Sequence, residues 1–309
     1  MKALPLVYYP TTVNWVDDDI LFLKTISQAV KSERPCQTYL TPKECLLRLQ
    51  YQTPALASLP LFKSYVDHDE YGTSHHIPVD ADLLALSSLR NNPERFNDVS
   101  VVVVDYHMPG MTGIELCREL QGQPVKKILL TGAADQQLAI EAFNEKIIDC
   151  FLRKDNPNLV CELQSFVRSL SQQYFRDLTQ SLLVHLEVEN KLPITDPVYI
   201  EFFHGWCTAN KIIEYYLIDK NGSFLATDDA GKIHYLIVHT DKTLDAFTES
   251  HHDDEVSDFL ESVVKRQKIP FFGVAKEAWK FDVNNWPEHF YSPLVIEGKE
   301  RYYYWSQNE

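Results

Sequence analysis

The chain has 309 residues, of which 45% are hydrophobic and 24% charged, a composition typical of a globular protein with about two domains. Its formal net charge of −15 argues against nucleic-acid binding, because proteins with that task need a basic surface to neutralise phosphates. No apolar run approaches the ~20 residues that span a bilayer, and the apolar stretch in residues 1–10 is too short for a signal peptide. We therefore expect a cytoplasmic protein without membrane association. The six cysteines form no Cys-x-x-Cys pair, which predicts free thiols.

The first half of the sequence alternates between strand and helix patterns. The predicted strands are residues 6–16, 37–40, 101–104, 127–130 and 147–152. The predicted helices between them are residues 20–30, 41–50, 114–120 and 136–144. The third strand is four consecutive valines, as expected for a strand that is buried on both faces of a parallel sheet. The alternation predicts an α/β domain with a doubly wound, parallel five-stranded sheet that is covered by helices.

The strand–helix pattern loosens between residues 51 and 97, which contain several prolines and a short helical run at 82–89. We interpret this stretch as an insertion in a first domain that spans residues 1–157. The insertion also contains metal-ligand residue types, which a polar loop explains more simply than a metal site does. These residues are Asp67, His68, Asp69, His75 and His76.

Apolar residues recur at helical spacing from Leu159 to about Val188, after a helix-start signal at Asn156-Pro157. One interpretation is a helical connector over residues 158–190, with a homodimer formed through residues 158–188. The other is two separate core helices with a bend near Tyr174. The pattern leaves both open.

Residues 191–309 predict a second domain of α+β class with an antiparallel sheet. Three strands at 215–219, 223–227 and 233–239 are joined by turn sequences such as Lys220-Asn221-Gly222. Helices are predicted at 243–249 and 254–267, and two more strands at 289–296 and 301–305. The run from His251 to Glu255 has metal-ligand residue types, although a helix N-terminus accounts for its acids equally well.

Reactive side chains follow four predicted strands of the first domain. Because the carboxyl ends of parallel strands share one edge, these side chains should lie together. They are Asp17 and Asp18 after the first strand, Asp105 after the third, Thr131 after the fourth and Lys154 after the fifth. Three clustered carboxylates suit Mg²⁺, which prefers oxygen ligands. Asp105 could then accept a phosphoryl group, with Lys154 and the Thr131 hydroxyl beside it.

The sequence resembles response regulator receiver domains from about Leu6 to the region of Tyr174. The resemblance lies in four blocks: Asp17-Asp18, Asp105-x-x-Met108-Pro109-Gly110-Met111-x-Gly113, Leu129-Leu130-Thr131-Gly132, and Lys154. It implies a flavodoxin-like fold, Asp105 as the phosphoacceptor, and a sensor histidine kinase or phosphotransfer protein as partner. It also implies that the His107 backbone carbonyl joins Asp17, Asp18 and Asp105 around Mg²⁺. Phe151 is implied to be the aromatic residue that changes rotamer on phosphorylation.

The sequence departs from the family at Asp155, where receivers usually have a proline after the lysine. A haloacid-dehalogenase-type phosphatase also uses an aspartate at a strand end, but it needs a second acid two residues later, where this chain has His107. If the first domain is a receiver, residues 191–309 form its output. Two hypotheses for that output are a protein- or ligand-binding module that does not bind DNA, and an enzyme that the receiver regulates.

Overall fold

The computed structural model describes residues 3–30, 35–64, 79–189, 192–250, 257–273 and 287–307. The strands, in chain order, are β1 Val7–Tyr8, β2 Thr12–Val16, β3 Cys36–Tyr39, β4 Phe62–Ser64, β5 Val79–Ala81, β6 Val99–Asp105, β7 Lys126–Thr131, β8 Cys150–Arg153, β9 Ile212–Leu217, β10 Phe224–Asp228, β11 Ile233–Thr240, β12 Ile269–Pro270, β13 Phe290–Tyr291, β14 Leu294–Glu297 and β15 Arg301–Gln307. The helices are α1 Ile20–Val30, α2 Pro42–Gln50, α3 Leu83–Ser88, α4 Gly113–Glu119, α5 Gln136–Asn144, α6 Leu159–Leu178, α7 Gln180–Glu189, α8 Pro197–Ala209, α9 Asp241–Glu249 and α10 Ser257–Val264.

The chain forms two compact units, each built from separate segments. The first, which we call the α/β unit, comprises Tyr9–Leu59 and Leu89–Gln180. The second, the antiparallel unit, comprises Met1–Tyr8, Pro60–Ser88 and Ser181–Glu309. The predicted boundaries at 157/158 and 190/191 therefore need correction, because the chain passes between the units four times.

The α/β unit contains a parallel five-stranded sheet in the order β3-β2-β6-β7-β8. The valines of β6 alternate between its two faces. Val101 and Val103 pack in one apolar cluster with α1 and α6, whereas Val102 and Val104 pack in another with α2, α4 and α5. The prediction of a doubly wound α/β fold is confirmed, and the apolar run of β6 is explained by helices on both sides.

The prediction of one strand over residues 6–16 is wrong. This segment forms β1, which pairs with β9 of the antiparallel unit, and β2, which pairs with β3 and β6. Pro10 lies between them and has no N–H to offer a ladder, so it favours a break at this point. The sequence pattern does not reveal that the two halves belong to different sheets.

The predicted insertion is divided between the units. Its central part, Pro60–Ser88 with α3, belongs to the antiparallel unit, while its two ends belong to the α/β unit. The metal-ligand candidates Asp67, His68, Asp69, His75 and His76 lie outside the described residues, as do residues 251–255.

The predicted long helix is two helices, α6 and α7, that meet at Thr179. The Thr179 hydroxyl donates a hydrogen bond to the Phe175 carbonyl, 2.8 Å away. The two-helix interpretation is the correct one, with its break five residues beyond Tyr174, and α6 begins at Leu159 rather than at Asn156-Pro157. Leu163 and Val167 of α6 are buried in the α/β unit, so α6 is a core helix and not a separate connector. The homodimer through residues 158–188 stays a prediction.

The antiparallel unit is built on a six-stranded sheet in the order β1-β9-β10-β11-β15-β14. On one face, Phe203 of α8 packs on Tyr215 and Phe224, with ring centroids 5.0 and 4.4 Å apart. The other face packs against α9 and α10 through Leu244 and Val263. The predicted α+β class is confirmed, although the sequence analysis missed α8 and the contribution of β1. No helix within the described ranges has both the length and the apolar character needed to cross a membrane.

Asp196 anchors α8 to the hairpin between β14 and β15. Its carboxylate is 1% exposed and accepts hydrogen bonds from the Val198 N–H, the Lys299 N–H and the Tyr302 hydroxyl. Burial alone raises the pKa of Asp196, but these hydrogen bonds outweigh it and hold the pKa below its usual value. Gly298 is required next to it, because a Cβ there would lie 2.3 Å from the Asp196 Oδ2 atom.

We predict that Asp196→Ala lowers the free energy of unfolding by about 2–4 kcal/mol, because a helix cap is lost and buried donors are left unpaired. Since the pKa of Asp196 is lowered in the folded state, its stabilisation is complete well above the unfolded-state pKa of about 3.9 and is lost as the pH falls through that value and below. Urea unfolding of wild type, Asp196→Ala and Asp196→Asn between pH 3 and 7 measures this. The assignment would be contradicted if the free energy of unfolding of wild type exceeded that of Asp196→Asn by as much at low pH as at neutral pH.

Candidate functional site

The reactive residues predicted from sequence meet at the carboxyl edge of the parallel sheet. Asp17 and Asp18 follow β2, Asp105 ends β6, Thr131 ends β7, and Lys154 follows β8. These four strands are neighbours in the order β2-β6-β7-β8, with all pairs parallel. The strand order therefore converts positions that are far apart in sequence into one site.

Three carboxylates form the centre of this site. Oxygen atoms of Asp17, Asp18 and Asp105 all lie within 4.8 Å of one another. Asp17 and Asp105 are buried, at 2% and 6% exposure, while Asp18 is exposed. Burial raises the pKa of Asp105; the negative charge of Asp17 acts in the same direction, and Lys154 only partly offsets them.

Lys154 supplies the positive charge that holds two of these acids together. Its ammonium Nζ lies 2.7 Å from Asp17 Oδ2 and 2.8 Å from Asp105 Oδ1, and 4.7 Å from the centre of the Phe22 ring. Burial lowers the pKa of Lys154, but the hydrogen bonds to Asp105 and Asp17 outweigh it, so the pKa lies above its ordinary value. The lysine is therefore charged and oriented toward both acids at neutral pH.

Thr131 adds an unsatisfied polar group. The residue is fully buried, and its hydroxyl Oγ1 has no hydrogen-bond partner among the described residues. Its carbonyl accepts a hydrogen bond from the Lys154 N–H at 2.9 Å, which links the ends of β7 and β8. Buried hydroxyls are normally paired, so an unpaired one at this edge is what a site for an oxygen-rich ligand requires.

The loop after Asp105 is closed tightly by backbone hydrogen bonds. The Tyr106 N–H donates to the Leu130 carbonyl, and the Gly113 N–H donates to the Tyr106 carbonyl, each at 2.9 Å. A Cβ at position 113 would lie 2.2 Å from the Asp105 carbonyl oxygen, so only glycine fits there. Thr112 then caps α4 in a reciprocal arrangement with Glu115. These contacts fix the backbone that carries Asp105.

His107 and Phe151 are the two other site residues predicted from the sequence. His107 is in the loop, and its exposed imidazole Nε2 is 2.8 Å from Asp135 Oδ2. Phe151 in β8 is half-buried and packs against the apolar cluster that contains Val104 and Leu129. The sequence analysis did not identify Asp135, because its partnership with His107 depends on how two loops approach and has no spacing signal.

The donor set fits a hard divalent cation. Three carboxylates face one ammonium group, which leaves an excess of negative charge, and every side-chain donor of the cluster is an oxygen atom. Mg²⁺ binds through one or two carboxylates with further oxygen ligands from water and phosphate, so these residues are compatible with it.

Comparison with known proteins agrees with this site. A family model described as the response regulator receiver domain matches residues 83–163, which contain Asp105, Thr131 and Lys154. The solved structure of the Legionella pneumophila response regulator LqsR is similar over 100% of this chain and 91% of its own, with 29% identity and a TM-score of 0.80. The Francisella response regulator 1452 receiver domain is similar over 53% of this chain and 97% of its own, with 18% identity and a TM-score of 0.34. No curated protein matches the sequence.

The family model begins after Asp17 and Asp18, and the parallel sheet brings this acid pair to the matched residues. The strand order, the residues at the strand ends and the family match all lead to one assignment. The α/β unit of this chain is a response regulator receiver domain.

Proposed function

We propose that this protein is the response regulator of a two-component phosphorelay and that Asp105 accepts the phosphoryl group. The observation that carries the proposal is the Lys154 ammonium, held 2.7 Å from Asp17 and 2.8 Å from Asp105 at the carboxyl edge of the sheet. The partner that follows from a receiver domain is a sensor histidine kinase or a phosphotransfer protein. The similarity to a response regulator over the full chain supports this proposal.

In the proposed reaction, a carboxylate oxygen of Asp105 forms a bond to phosphorus as the bond from phosphorus to the partner's imidazole nitrogen breaks. The product is an aspartyl phosphate, and the phosphoryl group carries its negative charge into the site. Lys154, already hydrogen-bonded to Asp105, would pair with this charge. The unpaired Thr131 hydroxyl would donate to a phosphoryl oxygen, which would satisfy its missing hydrogen bond.

Asp17, Asp18 and Asp105, together with the backbone carbonyl of His107, would hold Mg²⁺. When bound, this ion would neutralise the charge shared by the carboxylates and the phosphoryl oxygens. The residues themselves favour a cation, since the ion pairs of Lys154 with Asp17 and Asp105 leave the cluster of three acids with an excess of negative charge.

Phosphorylation would act as a switch through Thr131 and Phe151. A Thr131 hydroxyl drawn to the phosphoryl group would pull on the end of β7, and Phe151 lies on the neighbouring strand β8. The antiparallel unit would receive this change as an output module that does not bind DNA, in keeping with the net charge of −15. Of the two outputs, a binding module is favoured over an enzyme that the receiver regulates.

We predict that incubation with acetyl phosphate and Mg²⁺ adds one phosphoryl group to the wild-type protein and none to Asp105→Asn. The amide is a poor nucleophile, so the substitution removes the acceptor without changing its size. Intact-protein mass spectrometry measures the gain, and EDTA should abolish it.

Asp19→Asn is the matched control, because Asp19 is exposed, caps α1 through the Leu21 N–H, and is not part of the acid cluster. It should gain the phosphoryl group as wild type does. A mass gain that persists in Asp105→Asn would refute the assignment of the acceptor.

We also predict that Lys154→Met lowers the free energy of unfolding by about 1–3 kcal/mol in EDTA, because Asp17 and Asp105 lose the cation between them. Mg²⁺ should restore more stability to this variant than it adds to wild type, since a ligand that binds the folded state stabilises it. Thermal unfolding with and without Mg²⁺ measures both effects.

Lys126→Met provides the control for general loss of a lysine. Lys126 also lies between two acids of the α/β unit, Asp149 and Asp177, but outside the acid cluster. This variant should respond to Mg²⁺ as wild type does. If Mg²⁺ stabilised neither Lys154→Met nor wild type, the acids would not form a cation site.

A further inference from the structure

The antiparallel unit contains an open cavity of about 550 Å³ between α8 and the last strands of the sheet, and part of its wall, including Gly205 and Leu294, is exposed to solvent. Four aromatic side chains line it: Phe202, Trp206, Tyr304 and Trp305. This volume is in the range of small-molecule binding sites, which are mostly apolar with a few placed polar groups. None of the residues assigned to the phosphoacceptor site belongs to this unit.

The chemistry of the cavity wall indicates the class of ligand. The described residues that line it include no Lys, Arg, Asp, Glu or His. A charged ligand packed against this wall would lose part of its hydration without gaining a counter-charge, whereas an aromatic ring can pack against the rings of the wall. The chain's net charge of −15 further disfavours the approach of an anion.

Gly205 on α8 borders the cavity and has no packing reason to be glycine. A Cβ at this position would meet nothing within 4 Å, and the backbone there is helical. Glycine inside a helix costs about 1 kcal/mol relative to alanine, so neither the helix nor its neighbours explain this residue. Gly205 is exposed, and its missing side chain leaves the space over this part of the wall open.

The aromatic wall is held in place before any ligand arrives. The Trp206 indole Nε1–H donates to the Ser306 hydroxyl at 2.9 Å, and Trp206 is 8% exposed. The ring centroids of Phe202 and Tyr304 are 4.5 Å apart, which joins the helix side of the cavity to the sheet side. Ser306 accepts from Trp206 and keeps its own O–H to donate to a ligand.

We propose that this cavity binds a small, uncharged aromatic molecule. The ligand packs against Phe202 and Tyr304, next to the space left by Gly205. This site is separate from the phosphoacceptor function and gives the output module a ligand of its own.

The test uses the full chain and N-phenyl-1-naphthylamine, an uncharged fluorescent probe, with its sulfonated analogue 8-anilinonaphthalene-1-sulfonate for comparison. We expect the uncharged probe to bind with about one equivalent and at least about tenfold more tightly than the anion. A Cβ at position 205 meets nothing within 4 Å, so Gly205→Leu can place a side chain over the wall and should weaken binding of the uncharged probe by about tenfold or more.

Gly122→Leu is the matched control, because a Cβ at Gly122 in the α/β unit also meets nothing within 4 Å. This variant should bind the probe as wild type does.

Leu294→Ser is a second test on the opposite wall. Leu294 is 64% exposed, so its replacement does not disturb the core, and the variant should bind the probe severalfold more weakly. The proposal is overturned if folded Gly205→Leu and Leu294→Ser bind the probe as wild type does, if the sulfonate binds equally well, or if the uncharged probe does not bind.

Discussion

The ion pairs of Lys154 with Asp17 and Asp105 are the interaction on which the rest of the α/β unit depends. Two buried carboxylates at the ends of β2 and β6 would repel each other, and the ammonium group after β8 lies between them. This arrangement exists because β2, β6, β7 and β8 are parallel neighbours, and their order is stabilised by valines that pack helices on both faces. The same packing that stabilises the sheet therefore assembles the site, and the excess negative charge prepares it for a cation.

The site was accessible to sequence reasoning, whereas the organisation of the chain was not. Asp17, Asp18, Asp105, Thr131 and Lys154 could be placed together because each follows a recognisable strand, and parallel strands end at one edge. The discontinuous units could not be predicted, because the apolar pattern of residues 6–16 is the same whether one sheet or two use it. Likewise, helical spacing after Leu159 does not say which core buries the apolar face, and α8 was missed even though Asp196-Pro197 is a helix-start signal.

Buried polar contacts gather around the start of β6, at the opposite end of the strand from Asp105. Asp98, just before β6, accepts hydrogen bonds from the Tyr9 hydroxyl at 2.7 Å and the Ala55 N–H at 3.1 Å, and so gathers segments that lead to two of the four crossings. Buried hydroxyls of Thr11, Ser100 and Ser171 join the same region, at 2.6 and 2.9 Å. The seven residue steps from Asp98 to the phosphoacceptor Asp105 span about 23 Å.

Chemical mapping of the phosphoryl group tests the central claim most directly. Borohydride reduces an aspartyl phosphate to homoserine, so the protein treated with acetyl phosphate and Mg²⁺ can be reduced, digested and sequenced by mass spectrometry. The account predicts homoserine at position 105 and aspartate at positions 17 and 18. Homoserine at another position, or a phosphoryl group on a serine, threonine or histidine instead, would contradict it.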